Sequence, residues 1–151
     1  VFSVGVFSMI DITEKKIVKR EATASGKIVL KKETIEKIKN KGIKKGDVLE
    51  VARITGMNAV KQTQYLIPHC HQIPINFVEF KFIFKNDIEV RCTVKTVAKT
   101  GLEMEALVGV TMALNTIWDM VKYLEKDKNG QYPDTKIADI RIIEKIKGGR
   151  K

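Results

Sequence analysis

Thr100 to Asp127, TGLEMEALVGVTMALNTIWDMVKYLEKD, is the longest periodic stretch of the chain and sets the terms for the rest. Its period predicts a helix of about 24 residues, with Thr100 and Glu103 placed as a capping box. Ala106, Leu107, Val110, Leu114, Ile117, Val121 and Leu124 fall on one apolar stripe, the face for the chain's own core. The opposite side carries Met104, Glu105, Val108, Met112, Asn115, Asp119 and Lys122, too apolar for solvent and too charged for a core. A mixed second face of this kind is expected to be covered by a ligand or by another subunit.

A chain of 151 residues is expected to form a single domain with its own core. No stretch approaches the roughly 20 apolar residues of a membrane span. Val1 to Ser8 is apolar without a charged leader or a cleavage site, so it does not read as a signal peptide. The expectation is a native start at Met9, with residues 1–8 upstream or vector-derived and residues 9–151 as the domain. Two cysteines, Cys70 and Cys92, are too few for a disulfide framework and point to the cytoplasm. A net charge of +10 favours a polyanionic partner such as nucleic acid, an anionic membrane or a small phosphate-rich molecule, or else marks a solvated lysine surface.

Taken in order, residues 9–26 have weak periodicity and read as an irregular or partly extended arm containing Arg20, followed by a short strand, Lys27 to Leu30. Thr34 to Asn40 reads as a brief helix broken at Gly42. Asp47, with Glu50 at the capping-box position, opens a second helix to about Ile67, which Pro68 stops. Lys44 and Lys45 precede that helix, where ammonium groups and free backbone N–H groups could meet one anion, or they are the ordinary lysines of an exposed loop. Val78, Phe80, Phe82 and Phe84 alternate with polar residues in a strand from Ile75 to Lys85. Asn86-Asp87 turns the chain, and Ile88 to Lys95 returns as the second arm of a hairpin. A last strand covers Ile137 to Ile143. The order strand, helix, strand, strand, helix, strand predicts an α+β, ferredoxin-like split βαβ domain, its antiparallel sheet covered by helices on one face.

His69-Cys70-His71 concentrates imidazole and thiol in one loop. In extended backbone the two histidines would point the same way and could chelate a metal, yet no second cluster completes a zinc set; hydrogen bonding to substrate, proton transfer, or a structural role are the alternatives. Asp119 and Lys122, three apart, share a helix face and form either an acid/base couple or an ordinary ion pair.

The stretches MIDITEK, REATASG, KKGDVLEVARITGMNAVKQTQYLIPHCH, TGLEMEAL and IWDMVK stand at consistent spacing. Through them the sequence resembles the molybdenum cofactor biosynthesis protein C family, cyclic pyranopterin monophosphate synthase, from about Met9 to Lys151. The resemblance implies a lyase that converts a cyclic dihydroguanosine triphosphate into cyclic pyranopterin monophosphate and diphosphate, with no redox step; no cofactor and no protein-bound metal are expected. It also implies a homo-hexamer, a trimer of dimers with sites at subunit interfaces. It assigns catalysis to Asp119, Lys122 and Lys45, and substrate contact to His69, Cys70, His71, Met104, Glu105, Arg20 and either Lys145 or Lys147. His69-Cys70-His71-Gln72 stands where the family usually has Leu-Cys-His-Pro, and Trp118 where it has Tyr. Residues 145–150 replace the family's K-S-G-G-K-S-G. The rival reading is a basic ferredoxin-like RNA-binding module without activity, although the RNP1 pattern is lacking; a purely structural oligomer is a third. Glu105 and Asp119 lie fourteen helical residues apart, roughly 21 Å, so one pocket that uses both is expected to draw them from different subunits.

Overall fold

The computed structural model describes residues 5–148. Val1–Val4 and Gly149–Lys151 lie outside that description, and with them half of the expectation for residues 1–8 and the end of the C-terminal motif. The elements are β1 (Val18–Val29), α1 (Lys32–Lys39), α2 (Val48–Leu66), β2 (Phe77–Phe84), β3 (Ile88–Ala98), α3 (Glu103–Glu125) and β4 (Lys136–Lys147). The strands form one sheet in the order β2-β3-β1-β4, and every neighbouring pair is antiparallel. This is the ferredoxin-like arrangement, with the short α1 added before α2.

Strand alternation decides which side is dry. On β1, Ala22, Ala24 and Ile28 are buried opposite Val94, Cys92 and Ile88 of β3, and together they floor the core on which α3 lies. Val110, Leu114, Ile117 and Val121 are fully buried in that contact, each stabilising by about 1.5–3 kcal/mol through removal from water. Phe80, Phe82 and Phe84 pack against the same core from the edge strand β2. On the other face, polar pairs cross the strands: Thr23 and Thr93 share a hydrogen bond of 2.8 Å, and Lys95 meets Glu21 at 3.5 Å.

α2 and α3 cross at two glycines. A Cβ on Gly56 would meet Phe80 at 2.5 Å and the Gly109 carbonyl at 3.0 Å, and one on Gly109 would meet Val60 at 2.7 Å. The two backbones therefore touch at a distance that only glycine allows.

Two expectations are corrected. Residues 18–26, read as part of an irregular arm, belong to the twelve-residue central strand β1. Its inward positions include Ala22, Ala24 and Gly26, too small to register as an apolar alternation, and neighbours on both sides supply the pairing. The Thr100–Glu103 capping box does not form: α3 starts at Glu103 behind Leu102, with no side-chain cap. The Glu103 carboxylate is drawn instead to Lys145 of β4, 3.6 Å away. The box predicted for α2 holds in one half. Asp47 accepts from the Glu50 N–H at 3.2 Å, while the Glu50 carboxylate turns to Arg53.

Candidate active site

The residues singled out from the sequence gather in three places, two of them toward the two ends of α3. The first lies toward its C-terminal half. Lys122, one turn beyond Asp119, sets its ammonium 3.0 Å from Asp119 Oδ1, and Lys45 reaches the same residue from the loop before α2. Lys45 Nζ donates to the Asp119 carbonyl at 2.8 Å and lies 3.5 Å from Oδ2. Gly46, at φ 118°, gives the sharp bend that brings Lys45 back to α3 before α2 begins. The Lys122 hydrogen bond, reinforced by both ammonium charges, holds the Asp119 carboxyl below the usual carboxylate range; Asp119 in turn raises Lys122. The site is open to solvent, so these pairs are rearranged readily rather than locked.

The anion site expected at the start of α2 takes another form. Asp47 fills its own helix N-terminus, and Lys41 lies 3.8 Å from that carboxylate. Lys44 and Lys45 both turn to α3, Lys44 lying over the Tyr123 ring at 5.7 Å while its N–H donates to the Tyr123 hydroxyl at 3.1 Å. Tyr123 was missed from sequence, although its spacing of four from Asp119 put it on the same face. Trp118 stacks obliquely on Tyr132, ring centroids 5.2 Å apart, beside Lys122.

The second place is a cleft of about 320 Å³ at the N-terminal end of α3. His69, Cys70, His71, Met104 and Glu105 all line it, joined by Glu103 and by the segment from Ser8 to Lys15. His69 does not sit in extended backbone. The Cys70 N–H donates to Ile67 at 3.0 Å, closing a turn that leaves His69 exposed while His71 is half-buried, so the two imidazoles do not share one environment. Among the described residues no three His, Cys, Asp or Glu side chains gather as a metal site.

Glu105, expected on a face covered by a ligand or another subunit, is already buried within its own chain, 5 % exposed. Burial pushes its pKa up, with the Glu103 charge adding to the effect. Burial, then the Glu105 charge, also raises the Cys70 thiol. Lys145 comes to the rim of this cleft through Glu103.

Arg20 occupies the third place. It is buried, its Nη2 donating to the Lys99 carbonyl at 3.1 Å, while Nε has no partner among the described groups. It opens on a separate hollow of about 720 Å³ with Lys95 and Phe77, and Lys147 stands opposite it on β4.

A family model described as MoaC family matches residues 9–148. The chain belongs to the MoaC family. MoaC relatives cover it almost end to end. A protein of Thermococcus kodakarensis named "Probable cyclic pyranopterin monophosphate synthase" is 55% identical over 141 residues, 93% of this chain and 90% of its own. Proteins of the same name from Archaeoglobus fulgidus, 54% identical over 147 residues, and Sulfurisphaera tokodaii, 56% over 140, cover 97% and 92% of the chain and 94% and 93% of their own lengths. The RNA-binding alternative finds no support in a MoaC chain whose sheet aromatics Phe80 and Phe82 pack on the core. No helix among the described residues is long and apolar enough to cross a membrane.

Proposed function

We propose that the chain is a cyclic pyranopterin monophosphate synthase, a lyase of molybdenum cofactor biosynthesis. Its substrate is (8S)-3',8-cyclo-7,8-dihydroguanosine 5'-triphosphate, and its products are cyclic pyranopterin monophosphate and diphosphate. The observation that carries this reading is the pair of ammonium groups, Lys45 and Lys122, converging on one carboxylate, Asp119, in a chain that shares over half its residues with named synthases. Forming a cyclic phosphate requires a sugar hydroxyl to attack phosphorus while diphosphate leaves, and two cations at that centre neutralise the charge on the equatorial and leaving oxygens. Asp119, Lys122 and His71 are assigned the proton transfers of the pterin rearrangement. Arg20 and Lys145 serve the triphosphate, and His69, Cys70, Met104 and Glu105 contact the base and sugar.

Within one subunit the Asp119 cluster and the Glu105 cleft lie at opposite ends of a helix. A homo-oligomer, a hexamer built as a trimer of dimers and working in the cytoplasm, brings one subunit's cluster to its partner's cleft. Incubation with the cyclic nucleoside triphosphate, followed by assay of diphosphate and of the fluorescent oxidised pterin, tests the reading. Product is expected at catalytic enzyme, and its absence at stoichiometric enzyme overturns the assignment.

A further inference from the structure

The segment before β1 runs across the cleft as a strap. Ser8, Ile10, Ile12 and Lys15 form one wall of the cavity whose other wall carries Cys70 and Glu105. The strap has its own internal structure: the Asp11 carboxylate accepts the Thr13 N–H at 2.9 Å together with the Thr13 hydroxyl, and the Lys15 N–H donates to Ile12 at 3.0 Å. Two ties bind it to the body. Lys99 Nζ donates to the Thr13 carbonyl at 3.1 Å, and the Ile10 carbonyl lies 2.6 Å from Nε2 of His71. A carbonyl oxygen only accepts, so Nε2 must carry the proton. In the neutral ring, Nδ1 is then the unprotonated nitrogen, the one able to accept a hydrogen bond or a proton from a ligand. Asp11, on the same strap, accepts from the Thr13 N–H and hydroxyl; its charge also acts on the His71 ring through space, but no hydrogen bond joins the two.

We propose that the strap is a positioning element of the site, whose Ile10 carbonyl fixes His71 as the Nε2–H tautomer and presents Nδ1 as the acceptor for substrate. The assignment of His71 to substrate rests on the functional reading above; the tautomer does not.

The test is nitrogen NMR of ¹⁵N-histidine-labelled protein carrying His69→Asn, so that His71 is the one remaining imidazole, at pH 8 and without ligand. A protonated Nε2 with an unprotonated Nδ1 is expected in the full chain. Deleting residues 1–11 is expected to move both resonances toward the average of exchanging tautomers. Lys99→Met, which keeps every residue of the strap and removes one tie, is expected to shift them part of the way and serves if the truncation does not fold. A protonated Nδ1, a doubly protonated ring, or resonances indifferent to both changes overturn the proposal. Because this readout needs no substrate, it stands or falls apart from synthase activity. In an active enzyme the truncation is also expected to lower kcat by tenfold or more.

Discussion

Glu105 is a carboxyl group held where its charge is costly. Its pKa is raised, so from pH 4.5, its ordinary value, upward the native state holds a proton that the unfolded chain has given up, and stability falls with rising pH through that window. Glu105→Gln is therefore expected to melt at a higher temperature than the parent at pH 7 and at the same temperature at pH 4, while losing synthase activity. The same substitution removes the charge beside Cys70, so Cys70 is expected to react faster with a thiol reagent at pH 8. Cys92, fully buried and pushed up to about 12 by burial, stays unreactive until the chain unfolds. Glu125 is the contrasting acid. It is 0 % exposed, yet it accepts from the Lys31 N–H, from the Thr34 hydroxyl and from the Thr135 hydroxyl, pinning the start of α1 and the start of β4 to the end of α3. Glu125→Ala leaves those donors without acceptors and is expected to cost about 3 kcal/mol in urea unfolding, with Glu125→Gln milder.

At the scale of elements, the α2–α3 crossing shows packing overriding propensity. Alanine at Gly56 would gain about 1 kcal/mol in an isolated helix, but its Cβ meets the Gly109 carbonyl, which cannot rotate away. Gly56→Ala is expected to be destabilising by about 1–3 kcal/mol, read as a lower urea midpoint, and more so than Gly109→Ala, whose three nearest contacts are all with side chains and include no backbone atom. The elements legible in sequence were those whose apolar residues are large and regularly spaced. Phe80 and Phe82 announced β2, and Leu114, Ile117 and Val121 announced α3. What escaped depends on partners distant in the chain. β1 hides its period in alanine and glycine, and the Glu103 carboxylate in the first turn of α3 pairs with Lys145 of the distant β4. In the site, the alliance of Asp119 and Lys122 was visible as a helix spacing, whereas Tyr123 under Lys44 and the strap over His71 are set by the tertiary fold.

For the whole molecule, the proposed function asks two groups of residues at opposite ends of α3 to serve one substrate. If one subunit's Asp119 cluster completes its partner's Glu105 cleft, mixing inactive Glu105→Ala and Asp119→Ala proteins restores up to about a quarter of wild-type sites in statistically exchanged dimers. With exchange verified by mass spectrometry, activity no higher than the parents would place both residues in one chain's site.

Under the proposed function, the trio of Lys45, Asp119 and Lys122 also bears on affinity. Without substrate the two cations are already occupied by an anion of the protein's own, so an incoming phosphate does not meet a bare double charge; it must displace a tethered competitor. Asp119 then behaves as a built-in inhibitor that weakens binding, and it regains basicity once the ammonium groups are taken from it. Asp119→Asn abolishes that competition. The variant is expected to bind diphosphate about tenfold more tightly by calorimetry, and with a steeper dependence on salt, while turning over no substrate. Weaker binding would mean that the carboxylate orders the two lysines for the ligand rather than contending with it.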